Sequence, residues 1–239
     1  MKKFLISDYD GTFSIDDKSK KYNIAKVKEF RDKGNLFAIA TGRSFYDFTK
    51  KLEEFDIEYD YLIINHGATL LDKKHNLIRN YPIDNKAKQD IKNEFNLVDN
   101  QNIFVCKCLE SRTSINQENI TKIHIKCNNQ DEQLKFNDIL NNKYKRFVKG
   151  YLITGLNNCI EIISSSTNKS IVIKEIAQIE NIEKNNIFTI GNSFNDLEML
   201  ETFNGFCMKN SEELVKSKIT KTCTSVVELI DKITGGTNE

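Results

Sequence analysis

Short apolar runs and amphipathic segments alternate along the first part of the chain. The runs at 4–6, 36–40 and 61–65 predict buried strands, because each is short and almost continuously apolar. Between them, apolar residues recur at helical spacing, which predicts helices at 23–33 and 45–54. This alternation of strand and helix predicts a parallel sheet with right-handed crossovers.

The connections in this part of the chain are polar. Residues 16–21 predict a loop before the first helix. The apolar pairs at 70–71 and 77–78 predict a small hairpin around residues 72–76, after the third strand.

The alternation ends at Pro82, where a different order of elements begins. Two units follow, each with one helix and then two strand-like runs, and neither shows the pattern of a parallel crossover. The predicted helices are 84–95 and 131–140, and the predicted strands are 103–109, 120–126, 146–153 and 159–163, the last two joined near residues 155–158. We expect an inserted α+β domain of the αββαββ type, with one sheet face toward solvent or a cleft.

The strand–helix pattern resumes after residue 164. It predicts a helix at 169–180, a strand at 187–190, a short helix through 197–200, a strand at 204–208, a helix from about 211, and a last helix at 225–232 before a Gly-rich tail that we expect to fray. The predicted fold class is therefore α/β, with an inserted second domain. A Rossmann-like parallel-sheet core would comprise residues 1–81 and 165–239, and an α+β cap would comprise residues 82–164.

Composition narrows the classes of function. The 239 residues suffice for one large domain or for a core with a smaller inserted domain. The net charge is +1 with no basic face, so we expect no nucleic-acid partner. No apolar run reaches about 18 residues and no apolar leader opens the sequence, so we expect no membrane association and a cytoplasmic location. Six cysteines without C-x-x-C spacing argue against zinc, and no feature indicates an obligate protein partner.

Two carboxylates follow the first predicted strand, at Asp8 and Asp10. Side chains two residues apart in an extended segment point the same way, so both can face one cavity. Two close carboxylates repel, and Mg²⁺, which prefers a few carboxylate oxygens with water and phosphate, would remove the conflict. The alternative is a loop of surface acids.

Two further strand ends carry polar residues. Thr41 and Gly42 follow the second strand and precede a helix, an arrangement suited to binding an anion. The same residues could simply cap the helix, with Ser44 or Thr41 as the cap. The strand at 187–190 ends in a polar run at 191–196, and Lys169 opens the helix before it.

In chain order these segments resemble the four motifs of the haloacid dehalogenase-like (HAD) phosphatases. Motif one is Asp-x-Asp-Gly-Thr at 8–12, motif two is Thr-Gly-Arg at 41–43, motif three is Lys169, and motif four is Gly-Asn-Ser-Phe-Asn-Asp at 191–196. The continuation at 197–200 looks like the Cof-type subfamily, whose members carry an α+β cap between motifs two and three. The resemblance covers nearly the whole chain, strongly at the motifs and only as architecture in the cap.

The resemblance implies a role for each motif residue. Asp8 would attack phosphorus and form an aspartyl-phosphate, and Asp10 would protonate the leaving oxygen and then activate water. Mg²⁺ would be the cofactor and a small phosphorylated molecule the substrate. The implied phosphate-binding residues are Tyr9, Thr41, Gly42, Lys169 and Asn195, and the implied metal ligands are Asp8, Asp10, Asn192 and Asp196.

Two positions depart from the family pattern. Relatives usually carry a metal-binding Asp where this chain has Asn192, whose amide oxygen can ligate but brings no charge. We therefore expect weaker Mg²⁺ binding, with Asp196 compensating directly or through water. Relatives often carry Asn in place of His66, for which a cleft position and a structural hydrogen-bonded role both stay open. Arg43 could belong to the site or to a surface ion pair, and we leave it out of the predicted site.

The leading hypothesis is a Mg²⁺-dependent phosphatase of small phosphorylated metabolites such as sugar phosphates, with the cap closing over the leaving group. A phosphosugar mutase using the same residues, and a low-turnover binding or regulatory module suggested by Asn192, are the alternatives. Four basic residues of the cap could meet substrate hydroxyls or a second anion, or could lie on a solvated sheet face: Lys122, His124, Lys126 and Arg146.

Overall fold

The computed structural model describes residues 1–153 and 158–235. The predicted join at 155–158 and the tail after residue 235 lie outside these ranges, apart from Asn158. Eight strands form the first sheet, in the order β13-β12-β11-β1-β2-β3-β4-β5. They are β1 Phe4–Ser7, β2 Leu36–Ala40, β3 Tyr61–Ile64, β4 Thr69–Asp72, β5 Leu77–Asn80, β11 Ile187–Gly191, β12 Asn204–Met208 and β13 Thr222–Cys223.

The first sheet is parallel from β13 to β3, and β4 and β5 add an antiparallel edge. This confirms the predicted parallel α/β core and the hairpin after the third strand. Strands β11, β1 and β2 are neighbours and run in the same direction, so their carboxyl ends meet at one edge of the sheet. Ligands bind at that edge in open α/β sheets.

Helices cover both faces of the first sheet. Helices α1, α2 and α8 pack on one face, which buries Phe30, Phe48 and Leu229, and α5, α6 and α7 pack on the other, which buries Ile176 and Met199. These helices span Asp17–Asp32 (α1), Phe45–Glu54 (α2), Lys169–Ile179 (α5), Leu197–Thr202 (α6), Glu213–Lys218 (α7) and Val226–Thr234 (α8). Within the described ranges, no helix is both long enough and apolar enough to cross a bilayer.

A second, antiparallel sheet has five strands in the order β7-β6-β8-β10-β9. They are β6 Ile103–Lys107, β7 Glu110–Thr113, β8 Lys122–Lys126, β9 Val148–Ile153 and β10 Cys159–Ser164. Helices α3 (Asn85–Glu94) and α4 (Gln130–Asn142) cover one face and bury its apolar side chains. On the other face, Lys122 and Glu161 contact residues beside the first sheet. We propose that this second unit is the predicted cap; its boundaries at 82 and 164 stay a prediction.

Three elements differ from the predictions, and one of them is the two-residue edge strand β13, which no apolar run predicts. The first helix begins at Asp17 rather than at residue 23, because Asp16 and Ser19 form a capping box and so turn the predicted polar loop into the first turns of the helix. The cap contains an additional edge strand, β7. Its sequence is short and polar, and without apolar alternation it did not predict a strand. The cap order is therefore one helix and three strands, then one helix and two strands.

Candidate active site

Asp8 lies directly after β1 and is almost fully buried, with 5% of its surface exposed. Its main-chain N–H donates to the Ile190 carbonyl at 2.9 Å, which ties it to the neighbouring strand β11. The chain then turns through Gly11, whose φ of +75° favours glycine. A Cβ at Gly11 would also lie 2.6 Å from the Asn192 side chain, so motifs one and four are in close contact.

Lys169 links Asp8 to motif four. It is the first residue of α5, after the Asn168 cap, and only 1% of it is exposed. Its ammonium donates to Asp8 Oδ1 at 2.8 Å and to Asp196 Oδ1 at 2.6 Å, and it lies 3.5 Å from Asn195 Oδ1. The structure thus brings together four of the predicted site residues from three separate segments of the chain.

Asp196 is fully buried, and both of its oxygens are hydrogen-bonded. Lys169 donates to Oδ1, whereas the N–H groups of Asn192 and Ser193 donate to Oδ2 at 3.0 and 3.1 Å. Ser193 Oγ also approaches Oδ2 at 3.3 Å. This arrangement favours a role for Asp196 in holding Lys169 and the motif-four loop over direct metal binding.

The buried group carries an imbalance of charge. Asp8 and Asp196 share the single ammonium of Lys169, so the ionised set has a net charge of −1. Burial and the nearby Asp196 carboxylate raise the pKa of Asp8 to about 7, against the opposing effect of Lys169. Burial acts to lower the pKa of Lys169, but the two carboxylates outweigh it and raise that pKa. A proton on Asp8 or an added cation would balance the set.

A magnesium ion suits this imbalance. Within the described ranges, no three His, Cys, Asp or Glu side chains gather closely enough to hold a metal alone. Mg²⁺ does not need three, because it binds through one or two carboxylates and completes its shell with water and substrate phosphate. Asn192 lies in motif four, and its Oδ1 accepts a hydrogen bond from Thr12 Oγ1 of motif one at 3.1 Å. The residues that could hold the ion are therefore Asp8 and Asn192.

Motif two lies at the end of the neighbouring strand β2. Thr41 is buried, and its Oγ1 accepts a hydrogen bond from the Arg43 N–H at 3.1 Å. Gly42 has no room for a side chain, because a Cβ there would lie 2.3 Å from the His66 ring. Ser44 caps α2 through its side chain, so Thr41 is not the helix cap.

Asp10 is not in the buried cluster. Its side chain is 54% exposed, and its carboxylate accepts two hydrogen bonds from the Arg43 guanidinium, at 2.7 and 2.8 Å. The Arg43 pKa is raised, chiefly by these hydrogen bonds to Asp10. Arg43 thus forms an ion pair, as one of the two interpretations of the sequence predicted, but its partner is Asp10 of motif one. Arg43 therefore belongs with the candidate site, as its place in the Thr-Gly-Arg motif could have indicated.

The side chain of Tyr9 does not reach the site. Its ring is 1% exposed and packs against Phe13 and Phe48 in the core below the first sheet. Tyr9 lies in the turn after β1, where its ring joins the apolar core that α1, α2 and α8 cover. Any phosphate contact from Tyr9 would have to come from its main-chain N–H.

A second buried charge cluster joins the cap to the first sheet. The Glu161 carboxylate accepts from Lys122 Nζ at 2.7 Å and from His124 Nδ1 at 3.0 Å, and it also contacts His66 Nε2. Burial acts to raise the pKa of Glu161, but Lys122 and the two imidazoles outweigh it and hold that pKa well below the usual value. Sequence reasoning missed Glu161, which lies within an apolar strand and matches no motif.

Among the basic cap residues, Lys122 is buried in this cluster, so the solvated-face interpretation is wrong for it. Lys126 on the same strand and Arg146 are exposed. His66 has a hydrogen-bonded role, and its ring stacks on Tyr151 of the cap at 4.8 Å between ring centres. Its Nδ1 is buried without a partner among the described residues, as are both polar atoms of the Asn65 side chain.

A family model of haloacid dehalogenase-like hydrolases matches residues 5–228. The match spans most of the chain, and the protein belongs to the haloacid dehalogenase-like hydrolase family. The match confirms the resemblance seen at the four motifs.

Several relatives are similar along nearly their whole length. A protein of Buchnera aphidicola subsp. Baizongia pistaciae named "Putative phosphatase" is 27% identical, over 89% of this chain and 88% of its own. An uncharacterised protein of Mycoplasma capricolum is 25% identical, over 91% of this chain and 95% of its own. A "HAD/COF-like hydrolase" structure from Plasmodium vivax has a TM-score of 0.81 at 18% identity, covering 98% of this chain and 96% of that one.

Proposed function

We propose that the protein is a Mg²⁺-dependent phosphatase that hydrolyses small phosphorylated metabolites, such as sugar phosphates, through an aspartyl-phosphate on Asp8. The observation that carries the proposal is the buried Asp8 carboxylate at a strand end, held through Oδ1 by Lys169. Among the described residues no donor contacts its other oxygen, which is therefore available as a nucleophile.

In the proposed reaction, Asp8 Oδ2 forms a bond to phosphorus as the bond from phosphorus to the leaving oxygen breaks. Asp10 gives to that oxygen a proton that it takes up from water when its ion pair with Arg43 opens, then accepts one from the water that hydrolyses the aspartyl-phosphate. Thr41, the Gly42 N–H, Lys169 and Asn195 would hold the phosphoryl oxygens, where each donor contributes roughly 2–4 kcal/mol to barrier lowering. Bound Mg²⁺ would supply charge neutralisation for the transferring group.

Arg43 would position Asp10 in this scheme. Its two hydrogen bonds hold the Asp10 carboxylate, whose side chain is 54% exposed, outside the buried cluster. An exposed acid is suited to exchange protons with both the leaving group and water, whereas the buried Asp8 is suited to covalent attack.

The test is hydrolysis of p-nitrophenyl phosphate with and without Mg²⁺, comparing the wild type with Asp8→Asn. Asn is close in shape but is not a nucleophile, so we expect kcat to fall by about 1,000-fold or more. Asp90→Asn, an exposed change in α3, is the matched control and should leave the rate unchanged.

Absence of hydrolysis by folded wild-type protein across a panel of phosphomonoesters would contradict the proposal and favour a binding or regulatory module. Return of the phosphoryl group to a sugar 1-phosphate, seen as a phosphosugar isomer rather than free phosphate, would identify a mutase.

A further inference from the structure

The loop at 41–43, which carries motif two, is held from both domains. From the first domain, the Asn65 N–H donates to the Arg43 carbonyl at 2.9 Å and the His66 N–H donates to the Thr41 carbonyl at 3.1 Å. From the cap, Lys122 Nζ donates to the Gly42 carbonyl at 2.7 Å. All three carbonyls of the loop are therefore occupied, and the middle one is occupied by the cap.

The bond from Lys122 acts on one particular peptide group. The Gly42 carbonyl and the Arg43 N–H belong to the same planar unit, so fixing one end fixes the other. That N–H donates to Thr41 Oγ1 at 3.1 Å. Because the Thr41 hydroxyl accepts this bond, its own hydrogen is left to donate elsewhere, and it has no acceptor among the described residues.

Lys122 is itself held in place. It is 4% exposed, and Glu161, across the sheet face, binds it at 2.7 Å. Burial acts to lower the pKa of Lys122, but Glu161 outweighs burial and raises it, so the ammonium stays charged. Glu161 also contacts His66, whose ring lies against the α-carbon of Gly42. The cap thus contacts Gly42 at its carbonyl and, through His66, at its α-carbon.

We infer that Lys122 is a positioning residue: by holding the Gly42–Arg43 peptide, it aims the Thr41 hydroxyl at the phosphoryl group only when the cap is closed. This inference rests on the proposed phosphatase function. Opening of the cap would remove the Lys122 bond and leave the loop held by the first domain alone. Phosphoryl transfer would then be confined to the closed state, in which the site excludes water.

The kinetic test compares Lys122→Met with the wild type on p-nitrophenyl phosphate. Misaligned donors weaken binding of the transition state more than binding of the substrate, so we expect kcat to fall about 10- to 100-fold with less than about a threefold change in KM. Lys126→Met is the matched control, on the same strand and the same face but exposed, and it should change neither constant. The double variant Lys122→Met/Glu161→Gln removes both buried charges together. It replaces the single variant in this comparison if Lys122→Met does not fold.

A double-mutant cycle with Thr41→Val separates positioning from a general structural effect. If Lys122 acts through the Thr41 hydroxyl, Lys122→Met should cost less than about threefold in kcat once that hydroxyl is gone. An equal fold-loss with and without the hydroxyl would overturn the inference, as would a loss confined to KM.

A second readout needs no activity. Hydrogen exchange of the Arg43 amide, measured by NMR, should be at least tenfold faster in Lys122→Met than in the wild type or in Lys126→Met, because that amide loses its fixed orientation. Unchanged exchange at Arg43 would overturn the inference. If the wild type hydrolyses no phosphomonoester, the proposed function fails, and the exchange measurement still decides whether Lys122 holds this peptide.

Discussion

At the scale of single residues, the site is organised by one unbalanced charge. Lys169 pairs with two buried carboxylates, so the set lacks one positive charge. Burial and the Asp196 carboxylate raise the pKa of Asp8 to about 7, and a nearby cation would favour the ionised form that the proposed attack needs. The buried set therefore provides a physical reason for a metal dependence that the family resemblance only implied.

Asn192→Asp should strengthen Mg²⁺ binding. A carboxylate at this position adds charge beside a set that already carries −1, and attraction to a divalent ion a few ångströms away is worth about 1–2 kcal/mol even with strong screening. We expect the Mg²⁺ concentration for half-maximal thermal stabilisation to fall about tenfold. The melting temperature without metal should fall as well, because the added charge repels its neighbours.

The control for this change is Asn185→Asp, which adds the same charge at the amino end of β11, on the opposite edge of the sheet. It should leave the Mg²⁺ titration unaltered. Equal Mg²⁺ affinity in the wild type and in Asn192→Asp would remove residue 192 from the metal site.

Sequence patterns predicted which residues form the candidate site better than they predicted the contacts that these residues make. Asp8, Lys169 and Asn195 meet as expected, because strand order brings their segments to one edge. The engagement of both Asp196 oxygens depends on loop main-chain geometry that side-chain identities do not specify. Tyr9 lies in the turn after β1, and its ring is buried against Phe13 and Phe48, a placement that the motif alone does not indicate.

At the scale of elements, the turn after β3 joins motif two, motif three and the cap. Asn65 and His66 have positive φ values of 51° and 57°, and Gly67 has 103°. A Cβ at Gly67 would lie 2.4 Å from the Asn168 backbone, so only glycine lets the turn approach the start of α5. The turn therefore fixes Lys169 and the 41–43 loop relative to each other.

His66 should make stability depend on pH. Burial lowers the His66 pKa below its usual 6.5, despite the Glu161 hydrogen bond and with small contributions from Lys122 and Lys169. The unfolded chain then binds a proton at this site at a pH where the folded chain does not, so the His66 contribution to stability is full above pH 6.5 and is lost as the pH drops below it. Asp8 contributes with the opposite sign, because its raised pKa favours the folded chain as the pH falls through about 7. His66→Asn should remove the first contribution and leave the second.

The measurement is the free energy of unfolding from urea titrations between pH 7.5 and 5.5. His75→Asn, at a position outside the cap contact, is the control and should retain the wild-type slope. A wild-type slope that His66→Asn leaves unchanged would show that His66 titrates alike in both states.

Prediction of elements succeeded where apolar periodicity is strong and failed where polar residues decide. Apolar runs indicate seven strands of the first sheet but not the two-residue strand β13, and the early start of α1 depends on a capping box between Asp16 and Ser19. Strand β7 has no apolar pattern and is formed by pairing with β6. In both cases, local hydrogen bonds determined structure that hydrophobic spacing could not indicate.

At the scale of the whole molecule, the two sheets meet through buried charge rather than through an apolar interface alone. Glu161 and Lys122 face His66 and the Gly42 carbonyl across this contact, and Lys149 pairs with Glu198 at its rim, 2.7 Å apart. Lys122 and Glu161 are buried, and removing one partner of a buried pair costs about 3–5 kcal/mol. No single motif encodes these contacts, because their partners are 49 to 95 residues apart in the chain.

The central claim is that the residues gathered at the carboxyl edge of the first sheet bring about transfer of a phosphoryl group from the substrate to Asp8. The most direct measurement is acid quench during turnover of a phosphomonoester with Mg²⁺, followed by borohydride reduction and peptide mass spectrometry. An aspartyl-phosphate is reduced to homoserine, and we predict homoserine at position 8 alone, absent without substrate. Rapid hydrolysis with no reduced residue, or with the reduced residue at Asp10 or Asp196, would contradict the account.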